Sequence, residues 1–256
     1  MRMWQQLVWT VVVAIAAGLS PAVVAWERPP VFVDLRYPAE ALAARVTGTI
    51  VVRATTDPAG RVVEAEALSG PAALRPAVVA NLRQWKLAPG PRTDIMVYRF
   101  EIDYGACNDD SRSLFRLMQP NFAVVTACTG PGRAYAADLA DDVRVVSFGA
   151  VPSYPQFARS TRMTGLVALE LTLDATGAVT TARALNRLPG LTEVAIEHAK
   201  SWRIRTTAAR RGIIVYEFAL DNPVCEPAER TIFRRIGSDY VRLSACEPPL
   251  NVNAAR

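Results

Sequence analysis

From residue 37 onward the chain alternates between two hydrophobic periods. Residues 48–56 (GTIVVRATT) are β-branched and predict a strand, DPAG at 57–60 is turn chemistry, and residues 61–68 predict the returning strand. Leu74, Val78, Leu82 and Trp85 fall at i, i+4, i+8 and i+11, the single apolar stripe of a helix over 73–85. Pro76 then lies in the first turn of that helix, where no backbone donor is lost. A short helix is predicted over 38–45 and a third strand over 95–103. Beyond it, the β-prone runs 113–118 and 122–127 flank Gln119-Pro120-Asn121 and predict a hairpin. Antiparallel strands with helices on one face predict an α+β fold.

The same pattern then recurs. Tyr37-Pro38, Gly48, Gly60 and Trp85 reappear 117 residues later as Tyr154-Pro155, Gly165, Gly177 and Trp202. Tyr98, Phe100, Cys107, Phe115, Arg116 and Cys128 reappear 118 residues later as Tyr216, Phe218, Cys225, Phe233, Arg234 and Cys246. Solenoid units run from about 20 to 50 residues, so this period predicts two whole domains. The modules span 26–128 and 154–256, with a linker over 129–153 in which 143–148 is a candidate extra strand. Each is expected to be an antiparallel sheet with two helices plus a clasped hairpin.

Composition adds three constraints. Hydrophobic content of 51% with 21% charged residues excludes a disordered chain. The net charge of +5 is concentrated after Trp202, at Arg203, Arg205, Arg210 and Arg211, and at Arg234-Arg235. That is too sparse a stripe for a nucleic-acid surface. At the N-terminus, Arg2, an apolar run over 7–17, Ser20-Pro21 and Val23-Val24-Ala25 form an export signal over 1–25, with a retained anchor as the alternative. Either way, the bulk of the chain is expected in the periplasm or otherwise exported.

Four cysteines in an exported chain predict disulfides. Cys107 and Cys128 are separated by the same interval as Cys225 and Cys246, so the economical pairing lies within each copy, at the open end of each hairpin. A metal site is disfavoured, because the cysteines have no close second ligand and His198 is the only histidine. His198 is expected to be a partly exposed helix residue, and Trp85 and Trp202 are expected in the core. No base–nucleophile pair is shared by both copies, so no catalytic residue or cofactor is predicted.

Tyr-Pro before a small helix, Gly opening a β-branched strand, Asp-x-x-Gly, a second strand and a helix ending in Trp together resemble the C-terminal domain of TonB-type energy transducers. The resemblance covers residues 37–103 and 154–221. It implies a non-enzymatic periplasmic domain that binds segments of outer-membrane receptors by pairing with a sheet edge, chiefly the strand after the second helix. On this chain that strand is residues 95–103 and 213–221, which makes Ile95, Val97, Arg99, Ile213, Val215 and Glu217 the candidate partner-binding residues. Two other readings are a membrane-anchored component of an energised transport system, and a structural envelope protein whose arginines meet acidic lipid or polysaccharide.

Overall fold

The computed structural model describes residues 31–103, 113–129, 144–205, 211–221, 231–237 and 239–246. Residues 1–25, Cys107, Cys225 and the loop aspartates Asp109, Asp110, Asp141 and Asp142 lie outside them.

Module 1 runs α1 (Ala39–Ala43), β1 (Gly48–Thr56), β2 (Val62–Ser69), α2 (Arg75–Leu82), β3 (Arg92–Asp103), β4 (Ser113–Gln119) and β5 (Phe122–Cys128). After β6 (Arg144–Ser147), module 2 runs α3 (Gln156–Ser160), β7 (Gly165–Leu173), β8 (Val179–Ala184), α4 (Leu191–Lys200), β9 (Arg203–Arg205), β10 (Arg211–Asp221), β11 (Ile232–Arg235) and β12 (Tyr240–Cys246). The strand orders are β2-β1-β3-β5-β4 and β11-β12-β10-β7-β8, and β6 pairs with β9 in a small third sheet.

This architecture corrects the expected one. Among the described residues twelve strands face four helices, and α1 and α3 are only five residues each, so the molecule is chiefly β. The sheets are also mixed, not antiparallel. β5 lies parallel to β3 from Val97↔Phe122 to Asp103↔Cys128, and β12 lies parallel to β10 from Val215↔Tyr240 to Asp221↔Cys246. The hairpin is therefore no appendage, because its second strand slots between its first strand and the rest of the sheet. The reason lies in the side chains. FAVVTAC is apolar in both alternating sets and buried nearly throughout, which suits an interior strand covered on both faces. SLFRLMQ alternates between half-buried and exposed, which suits an edge.

Burial sorts the residues into three cores. Ile50, Val52, Met96, Tyr98, Phe100 and Val125 pack with Val78, Leu82 and Trp85 beneath α2. Val167, Leu169, Ile214, Tyr216 and Phe218 pack with Leu191, Ala195 and Trp202 beneath α4. The third core lies between the sheets, where Val51, Ile95, Val97, Phe122 and Val124 meet Leu166, Ala168, Val215 and Tyr240. The layers run helix, sheet, sheet, helix.

Local chemistry is the same in both modules. Tyr37 and Tyr154 donate their hydroxyls to the carbonyls of Val46 and Met163, and their backbone N–H groups to Ser113 Oγ and Thr231 Oγ1, both at 2.8 Å. The Tyr-Pro motif thus anchors the helix start to the first strand of the hairpin. Asp57 accepts the Arg61 guanidinium and Asp174 the Thr176 hydroxyl, both at 2.7 Å, and each also accepts backbone N–H groups within its own turn, which holds both carboxyls below the usual carboxylate range. Gly60 and Gly177 follow with φ of +81° and +82°, where a Cβ would sit 2.3 Å from Leu87 O and 2.0 Å from Ile204 O. Only glycine fits there.

Candidate partner-binding strands and the edges of the sheets

Of the six residues expected to line binding edges, Val97, Arg99, Val215 and Glu217 lie where both sides of the strand are already paired, and Ile95 and Ile213 stand just before that stretch. β3 has β1 on one side and β5 on the other, and β10 is flanked in the same way by β7 and β12. From Val97 to Asp103 and from Val215 to Asp221 the backbone already pairs with the hairpin strand. A saturated strand cannot accept a further strand. The correction has a second part. Ile95, Val97, Ile213 and Val215 point toward the opposite module and belong to the core between the sheets.

The charged members of the set complete that contact. Arg99 and Glu217 occupy equivalent positions in the two copies and carry opposite charges. The Arg99 guanidinium lies 3.8 Å from Glu217 Oε2 and 2.6 Å from Glu101 Oε1. It also sits over the rings of Phe122 and Tyr240, 5.5 and 5.1 Å from their centroids. Those two rings, again equivalent positions, stack at 6.0 Å. Glu217 is 7% exposed. It accepts the Tyr240 hydroxyl at 2.9 Å and has Arg242 at 3.6 Å, so the buried carboxylate is compensated from three sides. Burial and the neighbouring Glu217 raise the Tyr240 phenol above its ordinary range, which keeps it a donor. Equivalent residues meeting across one axis is the geometry of a two-fold dimer, here built within one chain.

The outer strands are β2, β4, β8 and β11. β2 exposes one apolar side chain, Val63, beside Glu64 and Glu66, and β8 exposes Thr180, Thr181 and Arg183. β11 has four residues and ends in exposed Arg234 and Arg235. Charge and shortness blunt such edges. β4 differs. It is seven residues long, and Leu114 and Met118 are 51% and 55% exposed on either side of exposed Arg116, opposite to Phe115 and Leu117, which pack into the module 1 core. Among the described residues no strand lies beyond it. The sequence predicts this strand over 113–118 but not its place at the edge of a larger sheet, although its alternation is legible there.

The remaining expectations resolve as follows. Cys128 and Cys246 end β5 and β12 and are disulfide-bonded; their expected partners Cys107 and Cys225 lie outside the described residues. His198 is not partly exposed but buried, at 4% exposure. Its Nδ1 lies 3.1 Å from the Tyr216 hydroxyl, and burial pushes the imidazole down to about 4. No group of His, Cys, Asp and Glu side chains able to hold a metal occurs among the described residues, and no described helix is long and apolar enough to cross a membrane.

Comparison with known proteins agrees with the duplication. The family described as Gram-negative bacterial TonB protein C-terminal matches residues 33–105 and again residues 150–217, together more than half of the chain. A search of curated proteins and one of solved structures each found no significant match.

Proposed function

The chain belongs to the Gram-negative bacterial TonB protein C-terminal family, and on that premise we propose that it is a non-enzymatic envelope protein that binds segments of other envelope proteins through the outer edge of β4. The observation that carries this reading is the contrast among the outer strands. β4 alone among the outer strands carries two exposed apolar side chains, Leu114 and Met118, along seven residues, with a shift in register at Met118. An added strand would gain backbone hydrogen bonds along that edge and apolar pockets from alternate side chains. The strand that the family resemblance marks for receptor pairing is filled by β5 in one copy and β12 in the other. Partner binding therefore moves one hairpin outward in this chain. Export through residues 1–25 and the pairings Cys107–Cys128 and Cys225–Cys246 belong to the same reading, since a hairpin that carries the binding edge benefits from a covalent clasp.

Photo-crosslinking in intact cells tests it. A benzoylphenylalanine at Met118 is expected to capture an outer-membrane protein, while the same probe at Val63 on β2 or Thr181 on β8 captures none. Capture at β2 or β8 without capture at β4 would overturn the assignment. Arg116→Pro, which removes a backbone donor at the edge of a still-folded protein, is expected to abolish the Met118 crosslink.

A further inference from the structure

A strap of chain crosses the tryptophan end of the long helix before each Tyr-Pro motif, residues 31–36 in module 1 and 144–153 in module 2. The two are held down differently. In module 1, Val33 O accepts Asn81 Nδ2 at 2.9 Å and Trp85 Nε1 at 3.1 Å. Val31 and Lys86 exchange both backbone hydrogen bonds, at 2.7 and 2.9 Å, and Phe32 lies edge-on to Trp85 at 4.9 Å.

Module 2 repeats the strap without the two side-chain bonds. His198 and Trp202 stand at the positions of Asn81 and Trp85, and His198 Nδ1 meets the Tyr216 hydroxyl as Asn81 Oδ1 meets that of Tyr98. His198 Nε2 and Trp202 Nε1, on residues 4% and 1% exposed, have no hydrogen-bond partner among the described residues. Spacing is the difference. Four residues separate Phe32 from Tyr37, whereas five separate Phe148 from Tyr154. β6 also slips in register against β9 between Val145 and Ser147. Gly149, next after Phe148 as Val33 is after Phe32, donates its N–H to Ser201 Oγ at 2.9 Å. One ring therefore covers the unpartnered pair. Phe148 lies 5.7 Å from the His198 ring, 6.1 Å from Trp202 and 4.8 Å from Phe233, and is itself 38% exposed. Alongside runs a cleft of about 500 Å³, lined by Ala150, Pro152, Glu193, Val194, Glu197 and His198.

We propose that the module 2 strap is an acid-operated latch, in which Phe148 lifts away from His198 and Trp202 when the imidazole takes up a second proton, while the module 1 strap stays down. Under the closed strap an imidazolium has no counter-charge. Tyr216 faces the ring from β10, with a phenol that burial raises and keeps protonated. Phe233 faces it from β11, Phe148 from the strap and Trp202 from the end of the helix. On α4 itself Glu197 is engaged with Lys200 at 2.9 Å, and Glu193 borders the cleft. Burial accordingly pushes the imidazole down to about 4 while the strap is closed. In water it titrates at about 6.5. The closed state is thus fully favoured above that ordinary value and loses ground as pH falls toward 4. Between pH 7.5 and pH 5 the open fraction rises roughly 30-fold. Asn81 does not titrate, so module 1 has no such response. The latch is separate from the β4 edge and stands or falls independently of it.

Hydrogen exchange of the full chain, followed by mass spectrometry at pH 7.5 and pH 5 and corrected for intrinsic amide rates, tests it. At pH 7.5 the peptide covering 144–149 is expected to exchange about tenfold faster than the one covering 31–35. At pH 5 the first is expected to speed up by a further factor of roughly 30, and the second to stay constant. In nitrogen-15 spectra, protonation of the His198 imidazole is expected to share its pH midpoint with the release of the strap amides. His198→Asn is expected to remove the acid response. Equal protection of the two straps, a module 2 strap indifferent to pH, or an undiminished acid response in a folded His198→Asn variant would each overturn the proposal. Should that variant not fold, the contrast between the two straps of the unmodified chain decides alone.

Discussion

The two modules share a fold but not a packing, and their differences run through the cores as well as the faces: Val78 and Leu82 on α2 become Ala195 and Ala199 on α4, while Val52 and Ala54 on β1 become Leu169 and Leu171 on β7. Turn residues and Tyr-Pro anchors are alike, and each long helix keeps the leucine and tryptophan at the ends of its stripe, Leu74 and Trp85 against Leu191 and Trp202. Arg99 against Glu217 sits between the modules, Asn81 against His198 lies one turn before the tryptophan, and Asn121 against Asp239 stands at the hairpin turn. Smaller residues on the helix of module 2 are matched by larger ones on the strand beneath it, so each core keeps its volume and not its residues.

The largest expected effect comes from making the modules alike where they touch. Glu217→Arg would set two guanidiniums against each other in a buried site and is expected to cost about 3–5 kcal/mol, read as a lower urea midpoint. Adding Arg99→Glu in that background is expected to recover part of the loss. Next come changes that should hurt both modules equally. Gly60→Ala and Gly177→Ala each drive a methyl into a backbone carbonyl and are expected to cost about 1–3 kcal/mol, with matching shifts in thermal unfolding. Unequal losses would show that the two turns are less alike than their geometry.

A smaller effect separates the two tryptophans that end the long-helix stripes. Trp85→Phe gives up the bond to Val33 O, whereas Trp202→Phe removes a donor that has no partner among the described residues. The first is expected to cost about 1 kcal/mol more than the second in chemical denaturation. The smallest effect concerns pH. Burial lifts the Asp239 carboxyl to about 7 and lowers the His198 imidazole to about 4. A raised carboxyl contributes stability below its ordinary value and loses it as pH climbs toward 7. A depressed imidazole contributes above its ordinary value and loses it as pH falls toward 4. Asp239→Asn is therefore expected to raise the Tm more at pH 8 than at pH 5, and His198→Asn more at pH 5 than at pH 8. Each substitution installs the module 1 residue, so the double variant should flatten both slopes.

Much of the fold was legible in the chain, because β-branching, one helical stripe and turn chemistry each leave local marks. β1 and β7 begin and end where the apolar runs do. Sheet order was less accessible. The continuous apolarity of residues 122–127 marks a strand buried on both faces, yet a hairpin reading treats it as one half of a local pair. β9 is three residues with only Ile204 buried, too short to show a period. Family resemblance places Ile95, Val97 and Arg99 on an edge, while the alternating Met96, Tyr98 and Phe100 show that both faces of the strand need cover. The burial of His198 was recoverable from the repeat, since it replaces Asn81 one turn before the tryptophan.

The opposite charges at one repeated position also govern association. A separate module 1 meeting its own copy would oppose arginine to arginine, and a separate module 2 would oppose glutamate to glutamate. Only the mixed pair neutralises both, and fusion into one chain supplies it at one-to-one stoichiometry and high local concentration. The duplicated halves thus behave as a heterodimer that has forfeited the option of being two homodimers.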